Sequence, residues 1–149
     1  MQTPDGLVVL GPGEGRAHGD ITVKVEARET GAGWGAVVVR GDQGTSGRTH
    51  VHRGESEAFF ILEGDVELWG PQSVTRLSPG TFILVPPDTE HALKVLTDEA
   101  RWLAIWPPSL DGLLDDLDDA RRAGRDDPDT TREIRRRHGV VPGERGVEG

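Results

Sequence analysis

Three histidines and a glutamate, His50, His52, His91 and Glu57, fall in two short blocks at spacings that suit one transition-metal ion. On an extended strand successive side chains alternate faces, so His50 and His52 point to the same side. Neutral imidazole nitrogens with one carboxylate oxygen make a ligand set for divalent iron, manganese, nickel, cobalt, copper or zinc. They suit calcium and magnesium poorly, because those ions prefer oxygen shells. Four protein ligands leave one or two positions open on an ion that accepts five or six, and open positions are what catalysis at a metal requires. Glu55 shares strand parity with Glu57 and competes for the carboxylate place. His18 and His138 lie outside both blocks and are read as solvated.

Those residues need short strands and tight turns to bring them together, and the chain is built for that. Gly 21 and Pro 10 among 149 residues supply many turns, while a hydrophobic content of 34% suits small half-buried strands. Alternation predicts strands at Ile21–Val25, Ala36–Arg40, Val66–Trp69 and Val74–Leu77, and also at Thr81–Val85, Ala92–Leu96 and Trp102–Ile105. A further short strand is expected at Leu7–Leu10, and Gly31 to Gly35 reads as a turn. Ala58–Leu62 is apolar at every position, which predicts a strand buried on both faces. Turn signals every eight to twelve residues are the pattern of a sandwich or barrel. After Pro107-Pro108, Leu110, Leu113, Leu114, Leu117 and Ala120 recur at helical spacing, with Ser109 as expected N-cap, the acids Asp111 and Asp115 early in the helix and Gly124 as terminator. Asp127-Pro128 reads as N-cap and first residue of a second helix that closes at Gly139.

The two blocks resemble the signature motifs of the cupin superfamily. Gly44, His50, His52, Glu57 and Gly64 occupy every fixed position of the first motif. Gly80, Pro86 and His91 match the second, with Asp88 where the family usually has Gly. Asp tolerates the left-handed turn conformation better than most residues, so that departure is mild. Val95 replaces an Asn that often ends the motif. The resemblance covers roughly residues 20 to 106 and assigns the carboxylate place to Glu57, at the family distance from Gly64. The tail, with its His138-Gly139-Val140 segment, is similar to that of small quercetinase-like cupins.

The resemblance implies an all-β jelly-roll barrel in residues 1–106, including an N-terminal arm, and a helical extension in 107–149 packed on the barrel or on a partner subunit. It implies one divalent transition metal per chain held by His50, His52, Glu57 and His91. Glu57, once off the metal, would double as a base. Phe59 and Ile61 share strand parity with Glu57, and Leu93 and Val95 with His91, so these four are expected to line an apolar substrate pocket. Trp102 and Trp106 share one face of the last strand and are read as core or interface aromatics. The expected reaction is a quercetinase-like dioxygenation of an enolisable or aromatic small molecule, with dioxygen as co-substrate. A non-redox isomerase, lyase or polyketide cyclase uses the same ligands, and a non-catalytic binding barrel is the third class.

Charge narrows the partners. A formal net charge of -9 excludes nucleic acid as an expected partner, because phosphate binding needs a basic surface. The basic cluster Arg132, Arg135, Arg136 and Arg137 reads as a solvated helix face paired with nearby acids. No cysteine is present, so neither a disulfide framework nor a thiolate metal site exists. The first residues carry neither a basic nor an apolar leader region, and no run approaches membrane-spanning length, so a cytoplasmic protein without membrane contact is expected. A homodimer is expected, because a strand apolar on both faces leaves surface that one small barrel cannot cover.

Overall fold

A computed structural model describes residues 2, 4–31 and 33–147 of the chain. Strands β1 (Arg16–His18), β2 (Ile21–Val25) and β3 (Gly35–Asp42) follow one another antiparallel, with the single-turn helix α1 (Ala27–Thr30) between the last two. Then come β4 (His50–His52), β5 (Glu57–Glu63), β6 (Val66–Trp69) and β7 (Val74–Leu77). Next are β8 (Phe82–Val85), β9 (Ala92–Val95) and β10 (Glu99–Trp106). A 3-10 turn (Pro108–Leu110) leads into α2 (Leu113–Arg122), α3 (Pro128–Arg137) and a last strand, β11 (Val140–Pro142).

Six strands form one sheet in the order β1-β2-β3-β10-β5-β8. Opposite it lie β7-β6-β9 and the pair β11-β4, brought together edge to edge by the bridges Ser46–Lys94 and His50–His91. Alternate residues of both layers meet in one core that includes Val37, Ile61, Val66, Val85, Val95 and Ala104. This is the expected all-β jelly roll with a short helical tail, its sheets remaining separate rather than closing into a continuous ring. Period-2 burial is its cause: side chains at every second position face inward and lose their apolar surface to water.

Two turns carry the motif geometry. Gly64 joins β5 to β6 at φ 71°, and a Cβ there would collide with the carbonyl of Glu99 and the Cα of Ala100, so only glycine fits. Asp88, where the family usually has Gly, adopts the left-handed conformation at φ 60° and is the one non-glycine among the described residues to do so. Its carboxylate accepts from the Gly54 amide at 3.0 Å, and its own amide donates to the His52 carbonyl at 3.0 Å. The Asp at this position therefore fastens the second motif's turn to the strand that carries two of the histidines.

Several expectations need correction. Leu7–Leu10 forms no strand: Val8 makes an isolated bridge with Gln2, and all four residues are exposed, so the segment lacks the buried face a strand needs. The turn expected at Gly31 to Gly35 includes Ala32, which lies outside the described residues. The strand at Ala58–Leu62 is buried on one face alone: Phe59 and Ile61 point inward, while Phe60 and Leu62 are exposed at 39% and 38%. Helix α2 begins at Leu113 after an N-cap at Gly112, not after Ser109, because residues 108–110 wind into the tighter 3-10 turn. Asp111 lies ahead of the helix, where its carboxylate accepts from the amides of Ala27 and Arg28 at the start of α1. Glu26 returns the favour by accepting from the Gly112 amide at 2.8 Å, so each helix start is capped by the other's side chain. Asp127 and Pro128 open α3 as expected, with the Asp127 side chain accepting from the Thr130 amide.

His18 and His138 are not solvated. His18 Nδ1 lies 2.7 Å from Asp118, and His138 bridges the Ser109 carbonyl and Asp116, each at 2.7 Å. Both are half-buried fasteners that hold α2 to the sheets and to α3, positions that periodicity alone does not reveal. No described helix is long and apolar enough to cross a membrane.

Candidate metal centre

His50 and His52 sit at the two ends of β4, Glu57 opens β5, and His91 immediately precedes β9. The His50 amide donates to the His91 carbonyl at 3.1 Å and the His91 amide returns a bond at 3.0 Å, which locks these two backbones side by side. One ligand atom from each of the four residues lies within 4.8 Å of all the others. His52, Glu57 and His91 are 5%, 5% and 2% exposed, and His50 is half-buried.

The imidazoles are oriented from behind. His91 Nδ1 lies 2.9 Å from the Thr89 carbonyl and His50 Nδ1 lies 3.1 Å from the Arg48 carbonyl, so each donates there and turns its unprotonated Nε2 inward. Glu57 Oε2 is 2.7 Å from His52 Nε2 and 3.1 Å from His91 Nε2. The His52 contact is short yet off the line of a hydrogen bond, and both ring nitrogens of His52 are buried without a hydrogen-bond partner. A buried polar atom left unpaired costs of the order of 1–3 kcal/mol. Glu57 bonds His91 but leaves the His52 nitrogens unpaired, and a buried imidazole lone pair facing a carboxylate is what a cation would satisfy, so the residues present fit a metal ion.

The charge states agree with that fit. Burial, reinforced by repulsion from His91, pushes the His50 imidazole down to about 4. Burial works to raise the Glu57 carboxyl, but the His52 and His91 imidazoles outweigh it and hold the group at about 2. At neutral pH His50 is therefore neutral and Glu57 ionised, the two forms that donate electron pairs to a cation.

The cluster opens onto a cavity of about 630 Å³ through His50, His52 and Glu57. Phe59 and Leu93 line it. Ile61 and Val95, also expected there, are not among its lining residues; at 0% and 1% exposure they lie in the core beneath. Same-face parity therefore places a residue on the inner side of a strand, but not at the depth where the cavity lies. Trp102 and Trp106 face the cavity as well, together with Leu113, Leu114 and Leu117 of α2. The leucine stripe thus forms a wall of the cavity. Arg48, Arg132 and Arg135 stand among its lining residues, and the sequence reading did not place them there. Glu55, the alternative carboxylate, lies outside the cluster, where it accepts from the Ser109 amide at 3.4 Å.

A strap from the C-terminal segment backs the centre. β11 pairs with β4 in the register Val140–His52 and Pro142–His50. Beyond it the Gly143 amide donates to the Thr49 carbonyl at 2.7 Å, and the Thr49 hydroxyl bonds the Arg145 carbonyl. The Arg145 amide donates to Glu90, the neighbour of His91, at 2.6 Å, and its guanidinium lies over the Trp69 ring at 4.8 Å.

Comparison with known proteins agrees with this geometry. The family described as Cupin domain matches residues 37–106. The quercetin 2,3-dioxygenase of Bacillus subtilis is 30% identical over 115 residues, 73% of this chain, and the chain spans about a third (34%) of that relative's length. Among solved structures, KdgF from Halomonas is 24% identical at a TM-score of 0.52, covering 60% of this chain and 79% of its own. The polyketide cyclase RemF from Streptomyces resistomycificus is 18% identical at a TM-score of 0.52, covering 60% and 66%. Those two likenesses concern the fold alone. With the motif residues gathered at one point inside a jelly roll, and with a cupin domain matched across the strands that hold them, the chain belongs to the cupin superfamily.

Proposed function

We propose that the protein is a metal-dependent cupin enzyme, a quercetinase-like dioxygenase acting on an enolisable or aromatic small molecule. His50, His52, Glu57 and His91 would hold one divalent transition metal, which when bound supplies Lewis acidity and a route for electrons between substrate and dioxygen. The observation that carries the reading is the four-ligand cluster at the base of a largely apolar cavity with aromatic walls. The similarity to a quercetin dioxygenase over most of this chain supports the redox branch of the superfamily.

The chain's own residues have separable tasks. Phe59, Trp102 and Trp106 offer aromatic surface to a planar substrate, and Leu93 with the α2 leucines excludes water from it. Glu57 stays ionised while the imidazoles of His52 and His91 hold it, and in that state it is a ligand and a poor base. A substrate that displaces the carboxylate from those imidazoles removes what depresses it. Glu57 then becomes able to take the enol proton at Oε2.

Purified protein loaded in turn with iron, manganese, nickel, cobalt, copper and zinc, screened against flavonols and other enols on an oxygen electrode, tests the reading. Oxygen uptake that depends on a redox-active metal is the expected result. Turnover that proceeds equally fast without oxygen, with zinc as effective as iron, would replace it with Lewis-acid isomerisation, lysis or cyclisation.

A further inference from the structure

The mouth of the cavity carries positive charge on a protein whose formal net charge is -9. Helix α3 turns Pro128, Thr131, Arg132 and Arg135 toward the cavity, a single face at helical spacing. The loop before β4 contributes Arg48, two residues from the ligand His50. Arg136 on the same helix behaves differently: it forms a two-pronged pair with Glu133, at 2.8 Å for each bond, and does not line the cavity. Arg132 is held by Asp129 at 2.9 Å. Arg48 and Arg135 have no ion pair among the described residues, although carboxylates are abundant on this surface.

Guanidinium groups left unpaired beside an apolar cavity are equipped to take a planar oxyanion through parallel hydrogen bonds. Away from the His50, His52 and Glu57 cluster the interior is walled mainly by apolar side chains, among them Phe59, Leu93, Trp102 and Trp106, so a charged group not bound at that cluster is better housed at the mouth. We infer that the substrate is an amphipathic anion: an apolar, ring-bearing body that fills the cavity, with a carboxylate or similar oxyanion that remains at the mouth and is held by Arg48 and Arg135. This inference rests on the cavity being the substrate site, as proposed above, and narrows the substrate class to acids. The arginines are specificity-determining and take no part in the proton transfer.

The test uses two fluorescent probes with the same ring system. One, 8-anilinonaphthalene-1-sulfonate, carries an anionic group; the other, N-phenyl-1-naphthylamine, does not. Affinities are measured on metal-free full-length chain for wild type, for the double variant Arg48→Gln/Arg135→Gln, and for Arg136→Gln. The double variant should bind the anionic probe about tenfold more weakly, with the wild-type preference eroded by added salt and the neutral probe unaffected. Arg136→Gln should change neither affinity. Equal loss of both probes in the double variant overturns the inference, since the arginines would then only shape the wall. Unchanged affinity for the anion overturns it too, as does an effect of Arg136→Gln as large as that of the double variant, because a general surface field would then suffice. Metal uptake is measured separately, on portions of the same proteins incubated with iron, manganese, nickel or zinc. A wild type that takes up no metal while preferring the anion sinks the enzymatic reading alone, and the amphipathic anion is then the cavity's ligand rather than its substrate.

Discussion

Acidification of the metal-free protein should unfold it from the centre outward, and His50 sets where that begins. Its imidazole falls to about 4 in the folded chain against 6.5 for the free side chain. Between those two values the unfolded chain binds a proton that the folded chain refuses, so stability drops as pH falls from 6.5 toward 4. The gap corresponds to about 3 kcal/mol at the conversion of 1.36 kcal/mol per unit, a large share of the roughly 5–15 kcal/mol that holds a typical domain together. Glu57 continues the decline: held at about 2 against an ordinary 4.5, it contributes stability above 4.5 that is lost as pH falls through 2. The two losses are not additive, since both groups belong to one cluster. Urea unfolding at intervals from pH 7.5 to 4 gives the slope directly, with His50→Asn as the comparison. Wild type should lose stability steeply below pH 6.5, and the variant should lose markedly less over the same interval. Equal slopes in the two proteins would refute the assignment of the drop to His50.

Three further outcomes are expected. His52→Ala should abolish stoichiometric metal by elemental analysis while leaving the far-ultraviolet circular dichroism of the jelly roll intact; full occupancy in that variant would remove His52 from the ligand set. Gly143→Ala should cost about 1–2 kcal/mol in chemical denaturation, because the added methyl presses on the Glu90 carboxylate and the Thr49 hydroxyl that hold the strap, and metal release should quicken with it. A homodimer should form through the outer face of β5 and β8, where Phe60 pairs with Phe82 and Phe82 and Leu84 are 63% and 60% exposed. Light scattering should therefore give a dimer mass for wild type and a monomer for Phe82→Glu.

The gathering of His50, His52, Glu57 and His91 was legible in the sequence because motif spacing on strands is fixed by the pleat: His50 and His52 cannot diverge without leaving the strand. Strand positions were legible for the same reason, and β2, β6 and β7 fall where alternation puts them. Parity gave the right face for Phe59 and for Ile61, but it carries no information on depth, and Ile61 lies below the cavity. Trp102 was read as core and is buried in it, and Arg135 was read as solvent-facing and is exposed; what the pattern did not show is that both also border the cavity. Their roles depend on how α2 and α3 fold back over the sheet, a long-range packing that local pattern does not encode. The helix start was missed because Gly112 in a left-handed conformation outcompeted Ser109 as the cap, and Glu26, remote in sequence, supplied the side chain.

The pairing of β11 with β4 has a consequence for the order in which the molecule assembles. The strand bearing His50 and His52 bonds to the rest of its sheet through bridges at one edge, and its other edge stays open until the chain has run on through both helices to Val140. A nascent chain halted before that point holds all four residues of the cluster but lacks the strand that steadies two of them. Contacts between segments so far apart in sequence form late, because the loop they close is costly in entropy. Capture of the proposed metal should therefore be among the last events of folding, and nicking the connection between α2 and α3 should speed its loss although neither helix contributes a residue to the cluster. The ion's residence time would then report whether the distant end of the fold is in place.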